Sequence, residues 1–554
     1  MYPRPFQFTV AITRRFLASK SHKKKPPSVH PPNKKASPSL IISSEPKLIK
    51  PPSLSYINVQ LSSDQTIRDS QFNLHNTNDS LYSLEEARDL FRPDLHLPSA
   101  PHSWEGYEPA TPLSDVITAL IGVTGRPISV AEFMRMALTH PEYGYYTQGK
   151  TMAEGDEFDR DDHDDTKEAD YVIGGDFITA PEISQIFGEC LGVWYYTQWV
   201  QQGKPDEWQW LECGPGKGTL TADFLQFARL DEAFRKSCRA VHLIEASPVL
   251  RQKQQETLQA CQPNISFVFH QSTEQTTESK NDIHVYWHNT WQEFRESTSS
   301  RFTFAVCQEF LDALPVYAFE KTKHGYWRER LVDVAVRDEF LQDDDDSPQL
   351  AAIEAPHGAK KTRFRLVLAP EATPALKTFL KTDEQGYRRS SDTANISSEA
   401  DNDIPSGSVV EVSPESIFMA KDLAQTIQSM GGAALIIDYG QVGTTDTIRG
   451  FTQHRQVPFL SQPGQVDVTA DVDFGALRHA IPDQAHGPVG QGEFLMRMGL
   501  QERVVQLLER DDVTDEQAED IYQSMVRLAS PEEMGTKYKV MGIVPKGDET
   551  PPGF

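Results

Sequence analysis

The chain has 554 residues, a formal net charge of −26 and 38% hydrophobic residues, enough for two ordinary domains or one large domain with insertions. The acidic excess argues against a general affinity for nucleic-acid phosphates, and no run approaches the roughly eighteen apolar residues of a membrane span. The five cysteines (Cys190, Cys213, Cys238, Cys261 and Cys307) form no C-x-x-C pair, which fits a reducing compartment and no structural zinc.

From Met1 to Ser44 there is no Asp or Glu, while Arg4, Arg14, Arg15, Lys20 and Lys23 to Lys25 fall among Phe6, Phe8, Ile12 and Leu17. An acid-free, Arg- and Ser-containing N-terminus predicts a mitochondrial presequence over 1–44 and a matrix address; a disordered basic tail is the alternative. The Pro- and Ser-rich stretch 45–111 reads as linker, with order starting near Pro112. Ser129 and Glu132 have capping-box spacing before a helix that Pro141 stops. Thr179, Pro181 and Glu182 open a second helix carrying Ile183, Ile186, Phe187, Cys190, Val193 and Trp194 at helical spacing, with Glu182 in a capping role and Asp176 structural.

An alternation follows. "WQWLEC" reads as a buried strand, "TLTADFLQFARL" as a helix, "AVHLIEA" as a strand and "PVLRQKQQETLQA" as a helix. "ISFVFH" or "HVYWH" supplies a further strand, and "FTFAVC" another. "PESIFMAKDLAQTIQSM" is a helix that stops at Gly431 and Gly432 before the strand "AALIIDYG". This order predicts βαβ units and an α/β, doubly wound parallel sheet. Acidic or polar segments at about 153–170, 342–361 and 383–407 read as mobile insertions without a metal site, since 153–170 lacks the fixed glycine and terminal Glu of a calcium loop. The domain is expected over 112–503, with 504–554 as a charged, partly helical tail.

The stretch "WLECGPGKGT" places Gly214, Gly216 and Gly218 directly after a strand. A triphosphate loop needs the hydroxyl next to its Lys, yet Gly218 separates Lys217 from Thr219. A dinucleotide fingerprint needs G-x-G-x-x-G, and here the third glycine comes one position early. S-adenosylmethionine fits better: it presents an ammonium, a sulfonium and a ribose, which favour the acid Glu212 at the end of the strand. A second acid, Glu245 at the end of the next strand, is placed to accept the ribose hydroxyls. The alternative is a tight strand-to-helix turn that holds no ligand.

The blocks "GDFITAPEISQIFGECLGVW", "LECGPGKGTLTADFL", "IEASPVLR", "QEFLDALPVYAFEK", "GGAALIIDYG", "DTIRGFTQH", "PGQVDVTADVDF" and "GPVGQGEFLMRMGL" resemble, in order, those of the MidA family. The resemblance runs from about Leu113 to Arg503. It implies a class I methyltransferase fold with S-adenosylmethionine as donor. It further implies symmetric ω-dimethylation of an arginine on a core subunit of respiratory complex I, in the service of its assembly. Glu212, Gly214, Gly216 and Gly218 match the family's cofactor loop and Glu245 its ribose position. The "EFLDALP" block departs from the common H-E-F-F-D, with Gln308 in place of the His and Leu311 in place of a Phe.

A guanidinium is protonated at working pH and a poor nucleophile; a carboxylate holding the far side of its fork aligns it and draws charge from the attacking nitrogen. Glu309 and Asp312, just past the strand "FTFAVC", are the expected catalytic residues, on the edge where open α/β sheets bind ligands. The alternative for Glu309 is an acid at a helix N-terminus. Asp438 and Tyr439 lie on the same edge. A non-catalytic assembly scaffold on this fold is the alternative function. A small-molecule or RNA methyltransferase also stays open; the acidic charge and the lack of an N-P-P-Y-type block disfavour RNA. Neither nucleic-acid binding nor stable membrane insertion is expected, and a homodimer is left open.

Overall fold

The computed structural model describes residues 108–148, 179–261, 266–270, 282–297, 301–335, 363–388, 404–452, 455–547 and 549–554. The expected presequence, nearly all of the linker and the insertions at 153–170 and 342–361 lie outside these residues. All the described residues belong to one compact unit, Arg92–Phe554.

The first described helix starts at Pro112. Thr111 caps helix α1 (Pro112–Thr124) in a capping box with Ser114. A short strand β1 (Ile128–Ser129) leads into α2 (Val130–Thr139), whose first turn is closed by the Ser129 hydroxyl accepting from the Glu132 N–H. The single helix expected from Thr179 is two: α3 (Ala180–Ile183) and α4 (Gln185–Gln201). Ser184 sits between them at φ −163° and ψ 135°, too extended to carry a helix through, and its hydroxyl caps the second one.

The central sheet is built from β2 (Trp208–Cys213), β3 (Cys238–Ile244), β4 (Phe267–His270), β5 (Ile283–His288) and β6 (Phe302–Gln308). Helices α5 (Thr219–Ala228), α6 (Glu232–Ser237), α7 (Pro248–Cys261) and α8 (Trp291–Ser297) connect them. Both candidate segments, "ISFVFH" and "HVYWH", thus carry strands, paired in parallel at the sheet edge. After β6 the chain leaves this sheet to form an antiparallel one from β7 (Tyr317–Lys321), β8 (Trp327–Val334), β9 (Phe364–Leu368) and, past helix α9 (Pro374–Phe379), β10 (Val409–Val412). It packs on α1 and α2 through Phe133, Leu138, Val332 and Phe364. Residue order alone does not announce this second sheet. Of the insertion expected at 383–407, residues 383–388 form a tight turn in which Gly386 accepts from the Trp327 N–H at 2.8 Å, so part of it belongs to this sheet's rim.

The chain returns through α10 (Pro414–Met430) to β11 (Gly432–Gln441), parallel to β6. An excursion follows: β12 (Arg449–Thr452), β13 (Arg455–Val457), β14 (Asp467–Thr469) and β15 (Val472–Asp473). Next come α11 (Phe474–Ala480), β16 (Ala485–Gly490), α12 (Gln491–Arg497), α13 (Leu500–Leu508), α14 (Asp515–Ala529), α15 (Met534–Lys537) and β17 (Tyr538–Ile543). The strand order is β16-β17-β11-β6-β2-β3-β5-β4, with β17 antiparallel to both neighbours. The domain therefore does not end near Arg503. The segment expected as a tail carries a buried strand, "YKVMGI", that fills the gap between β11 and β16. Six residues at the far end of a charged helical stretch carry too little periodicity to announce it.

Every residue of β2 is buried, which places it at the sheet centre. Trp208 and Trp210 face an aromatic layer with Trp194, Tyr195, Phe224 and Phe234, in which Trp210 stacks on Phe224 at 4.0 Å. Leu211 and Cys213 face the opposite core, shared with Leu423, Ile427 and Ile436. At β2 the connections switch direction, outward through β3 on one side and through β6 on the other, so the crevice at its carboxyl end is where such a sheet binds ligands.

Candidate active site

The cofactor half is local in sequence. Gly214, Gly216 and Gly218 have φ of 63°, 53° and 82°, the left-handed region that glycine enters without strain. A Cβ on Gly214 would lie 2.8 Å from the ring of Phe310, so the loop passes directly beneath the segment that follows β6. Glu212 turns onto the first turn of α5, where it accepts from the Thr221 hydroxyl, which in turn accepts from Trp210 Nε1 at 2.8 Å. Burial pushes its pKa up to about 7, against those hydrogen bonds. Its part in the cofactor half is to lock the loop onto the helix that follows.

Glu245 accepts from the Ser247 N–H (2.8 Å) and from Gln254 Nε2 (3.2 Å). Burial raises it too, to about 7. The same Gln254 amide donates to the Gly216 carbonyl at 2.8 Å and accepts from Trp287 Nε1 at 2.7 Å. This fully buried residue ties the glycine loop to Glu245, a link that nothing in "VLRQKQQETLQA" marks. The Glu245 carboxyl, held by the Ser247 and Ala246 N–H groups and the Gln254 amide, stands beside a glycine backbone without side chains. That donor set fits a ribose and an adenosyl group.

The acceptor half draws on segments far apart. Glu309 follows β6 with φ +48°, an uncommon conformation for a non-glycine residue, held by its N–H donating to the Ile437 carbonyl at 2.9 Å. No helix begins there: a turn leads instead to β7, so the helix-N-terminus alternative for Glu309 is set aside. Asp438, fully buried, makes that turn possible. Its Oδ2 accepts from the N–H groups of Phe310 (3.2 Å), Leu311 (2.9 Å) and Asp312 (3.2 Å). Asp438 is a supporting group rather than a reacting one.

Asp312 accepts from the Thr469 hydroxyl at 2.8 Å, and the Arg449 guanidinium offsets part of its burial. The Glu309 carboxyl touches the Gln308 amide, the Ala180 N–H and the Tyr538 hydroxyl. Burial first, and then the charge of Asp312, push its pKa up to about 8. Tyr439 lies opposite Tyr538 across β11 and β17, with ring centroids 4.2 Å apart. At the rim, Tyr146 donates to Asp467 at 2.9 Å, and Arg449 pairs with Asp471 at 2.6 Å. Three carboxyls thus crowd one crevice beside the glycine loop, where an incoming cation would be stabilised.

Helix α3 bridges the halves. Its Ala180 N–H meets Glu309, and Glu182 pairs with Lys217 of the glycine loop at 3.2 Å. Glu182 is therefore an ion-pair partner rather than a cap; Asp176 lies outside the described residues. The five cysteines are free thiols, and among the described residues no helix is long and apolar enough to cross a membrane.

A largely parallel sheet with one antiparallel strand inserted next to its edge, and a glycine loop and two acids on its central strands, defines a class: methyltransferases that use S-adenosylmethionine. Residues 190–489 match the Methyltransf_28 family, described as S-adenosyl-L-methionine-dependent methyltransferase. "Protein arginine methyltransferase NDUFAF7, mitochondrial" of Rattus norvegicus is 36% identical, covering 79% of this chain and 87% of the relative. Its namesake in Xenopus tropicalis is 34% identical (76% and 83%), and the Drosophila melanogaster homologue 34% (78% and 85%). Two crystal structures of COG1565 superfamily proteins from Burkholderia thailandensis share the fold, with TM-scores of 0.56 and 0.55. They are 23% and 22% identical, each match covering 81% of this chain and 97% of theirs; the first is bound to S-adenosyl-homocysteine. The chain belongs to this S-adenosylmethionine-dependent methyltransferase family, and the MidA resemblance and the expected cofactor stand.

Proposed function

We propose that this protein is a mitochondrial protein arginine methyltransferase that symmetrically dimethylates an arginine on a core subunit of respiratory complex I. The observation that carries this reading is the carboxyl cluster of Glu309, Asp312 and Asp438, set against the glycine loop through Phe310. Crowded acids of raised pKa are poised for a cation, and a guanidinium is a planar cation whose fork matches a carboxylate. The names of the relatives, each a protein arginine methyltransferase and mitochondrial, support the same assignment. The complex I subunit and the symmetric outcome rest on the MidA resemblance, and the matrix on the acid-free N-terminus.

The bound cofactor supplies an electrophilic methyl group. Gly214 to Gly218 give the backbone approach, Glu245 accepts the ribose hydroxyls and Glu212 fixes the loop. Glu309, with Asp312 behind it, orients the guanidinium and accepts the proton that its nitrogen gives up. Incubating the full chain and tritiated donor with complex I subunits should label one subunit, with the label recovered as symmetric dimethylarginine. Tight cofactor binding with no labelled protein would favour the scaffold alternative. Deleting residues 2–44 should leave the protein in the cytosol; normal import of that form would refute the presequence.

A further inference from the structure

The Tyr439–Tyr538 pair does more than pack. Tyr538 is nearly fully buried, stands at the start of the last strand and reaches the Glu309 carboxyl, while Tyr439 is only half-buried. The two residues are direct partners in the antiparallel ladder, and their hydroxyls meet. A line of exchangeable hydrogens therefore runs from Glu309 through Tyr538 to Tyr439, the more exposed of the two tyrosines. We propose that Tyr538 positions Glu309 and that the two tyrosine hydroxyls carry away the proton Glu309 removes from the acceptor.

This proposal rests on Glu309 facing an arginine. In methyl transfer one ω-nitrogen bonds to the methyl carbon, and the electron pair of the broken carbon–sulfur bond stays on sulfur. The nitrogen sheds one proton, so substrate and product guanidinium each carry a single positive charge. That proton goes to Glu309. Tyr538 then takes it on its oxygen while its own hydrogen moves to Tyr439, and Tyr439 releases one to water. Burial raises both tyrosine hydroxyls above their ordinary values, so they relay protons without becoming stable anions. The other groups around Glu309 are less suited to carry the proton out. Asp312 and Asp438 are buried acids held by Thr469 and by backbone N–H groups, Gln308 holds no exchangeable acid, and Ala180 offers only its N–H.

Tyr538→Phe and Tyr439→Phe keep both rings and remove one hydroxyl each. In the cofactor-free protein, the infrared band of a protonated carboxyl that disappears in Glu309→Gln marks this group and gives its titration midpoint. Tyr538→Phe should raise that midpoint by about one pH unit, because a hydrogen bond favouring the ionised form is gone. Tyr439→Phe should leave it near the parent value. With tritiated donor and a synthetic peptide carrying one central arginine, Tyr538→Phe should slow transfer about tenfold and Tyr439→Phe several-fold. The acidic limb of the pH profile should move with the infrared midpoint in Tyr538→Phe alone, with donor affinity kept within twofold. An unmoved midpoint in Tyr538→Phe, or a moved midpoint with an unchanged rate, overturns the proposal. If the unaltered protein labels neither the peptide nor complex I subunits, the arginine reading fails instead, while the midpoint still decides whether Tyr538 holds Glu309.

Discussion

The two halves of the crevice handle buried acid differently. In the cofactor half, Glu212 and Glu245 stand apart and are each met by neutral donors: Thr221, the Ser247 N–H and the Gln254 amide. In the acceptor half, burial raises Glu309, Asp312 and Asp438 together; the charge of Asp312 raises Glu309 further, both raise Asp438, and the backbone at Glu309 is bent to φ +48°. Evenly satisfied acids suit a ligand that donates hydroxyl hydrogens. Acids forced together are relieved only by a cation or by protonation. The cofactor half is thus pre-formed, while the acceptor half stores unfavourable interactions that a cationic substrate would offset.

If that contrast is right, its largest expression lies at Asp438. Asp438→Ala deprives three buried N–H groups of their acceptor, at about 1–3 kcal/mol for each group left unsatisfied. Melting should fall by many degrees and methyl transfer should vanish. Asp438→Asn keeps an acceptor oxygen and should recover much of the stability, as read by calorimetry. Equal stability of the Ala variant and the parent would show that Asp438 does not hold the turn.

Glu309→Gln probes the same half without touching the turn. A lost charge-assisted bond is worth about 1.5–3 kcal/mol, so transfer should fall roughly tenfold to a hundredfold. Donor affinity by titration calorimetry should stay within about twofold, because Glu245 and the glycine loop carry it. A parallel loss of affinity and turnover would move Glu309 into the cofactor half and erase the contrast.

The halves also differ in how far they could be read from residue order. Glu212, the three glycines and Glu245 lie within one strand-turn-helix-strand passage, where the acid at each strand end and the glycine spacing mark the site. The acceptor half is closed by Tyr146, Arg449, Asp467, Thr469 and Tyr538, which meet only because β11 and β17 pair and the 449–473 excursion folds back over β6. No local period encodes such meetings, so residue order does not mark Tyr538, which lies in the segment expected as a tail. Glu309 and Asp312 were within reach because they immediately follow a central strand. Gln254 was missed for another reason: on a helix rich in Gln, nothing local separates the buried amide from its solvated neighbours.

Gln254→Leu tests the cofactor half alone. It removes the amide shared by the Gly216 carbonyl, Glu245 and Trp287 while nearly preserving volume. Breaking bonds to a buried carboxylate of this kind costs about 1.5–3 kcal/mol, so donor affinity should weaken by roughly tenfold or more. The Glu309 infrared midpoint should not move. A shift there would mean that the halves communicate, and the Lys217–Glu182 pair across α3 would be the first route to test.

The smallest effect is a pH dependence of stability to which both halves contribute. Glu212 and Glu245 have folded pKa values pushed up to about 7 and Glu309 to about 8, against 4.5 as the ordinary value. A carboxyl raised on folding binds its proton more tightly in the native state. Its contribution is complete below the unfolded pKa and is lost as pH rises through the folded one. His288, pushed down to about 4, and His242, also lowered, act in the opposite sense, but only below their ordinary value of 6.5. Between about pH 6.5 and 8 the unfolded histidines give up their remaining protons, so carboxyls dominate the slope, among them Asp223 and Glu329, which burial also pushes up to about 7. Stability of the cofactor-free protein should therefore fall across that window, by on the order of 2 kcal/mol. Glu309→Gln should flatten the upper part of the fall, toward pH 8, and Glu245→Gln the lower part, near pH 7. Denaturant melts at pH 6.5, 7.25 and 8 separate these contributions. A midpoint that rises with pH in the unaltered protein would mean that the carboxyls are already ionised in the native state, and the picture of an acceptor half awaiting a cation would go with it.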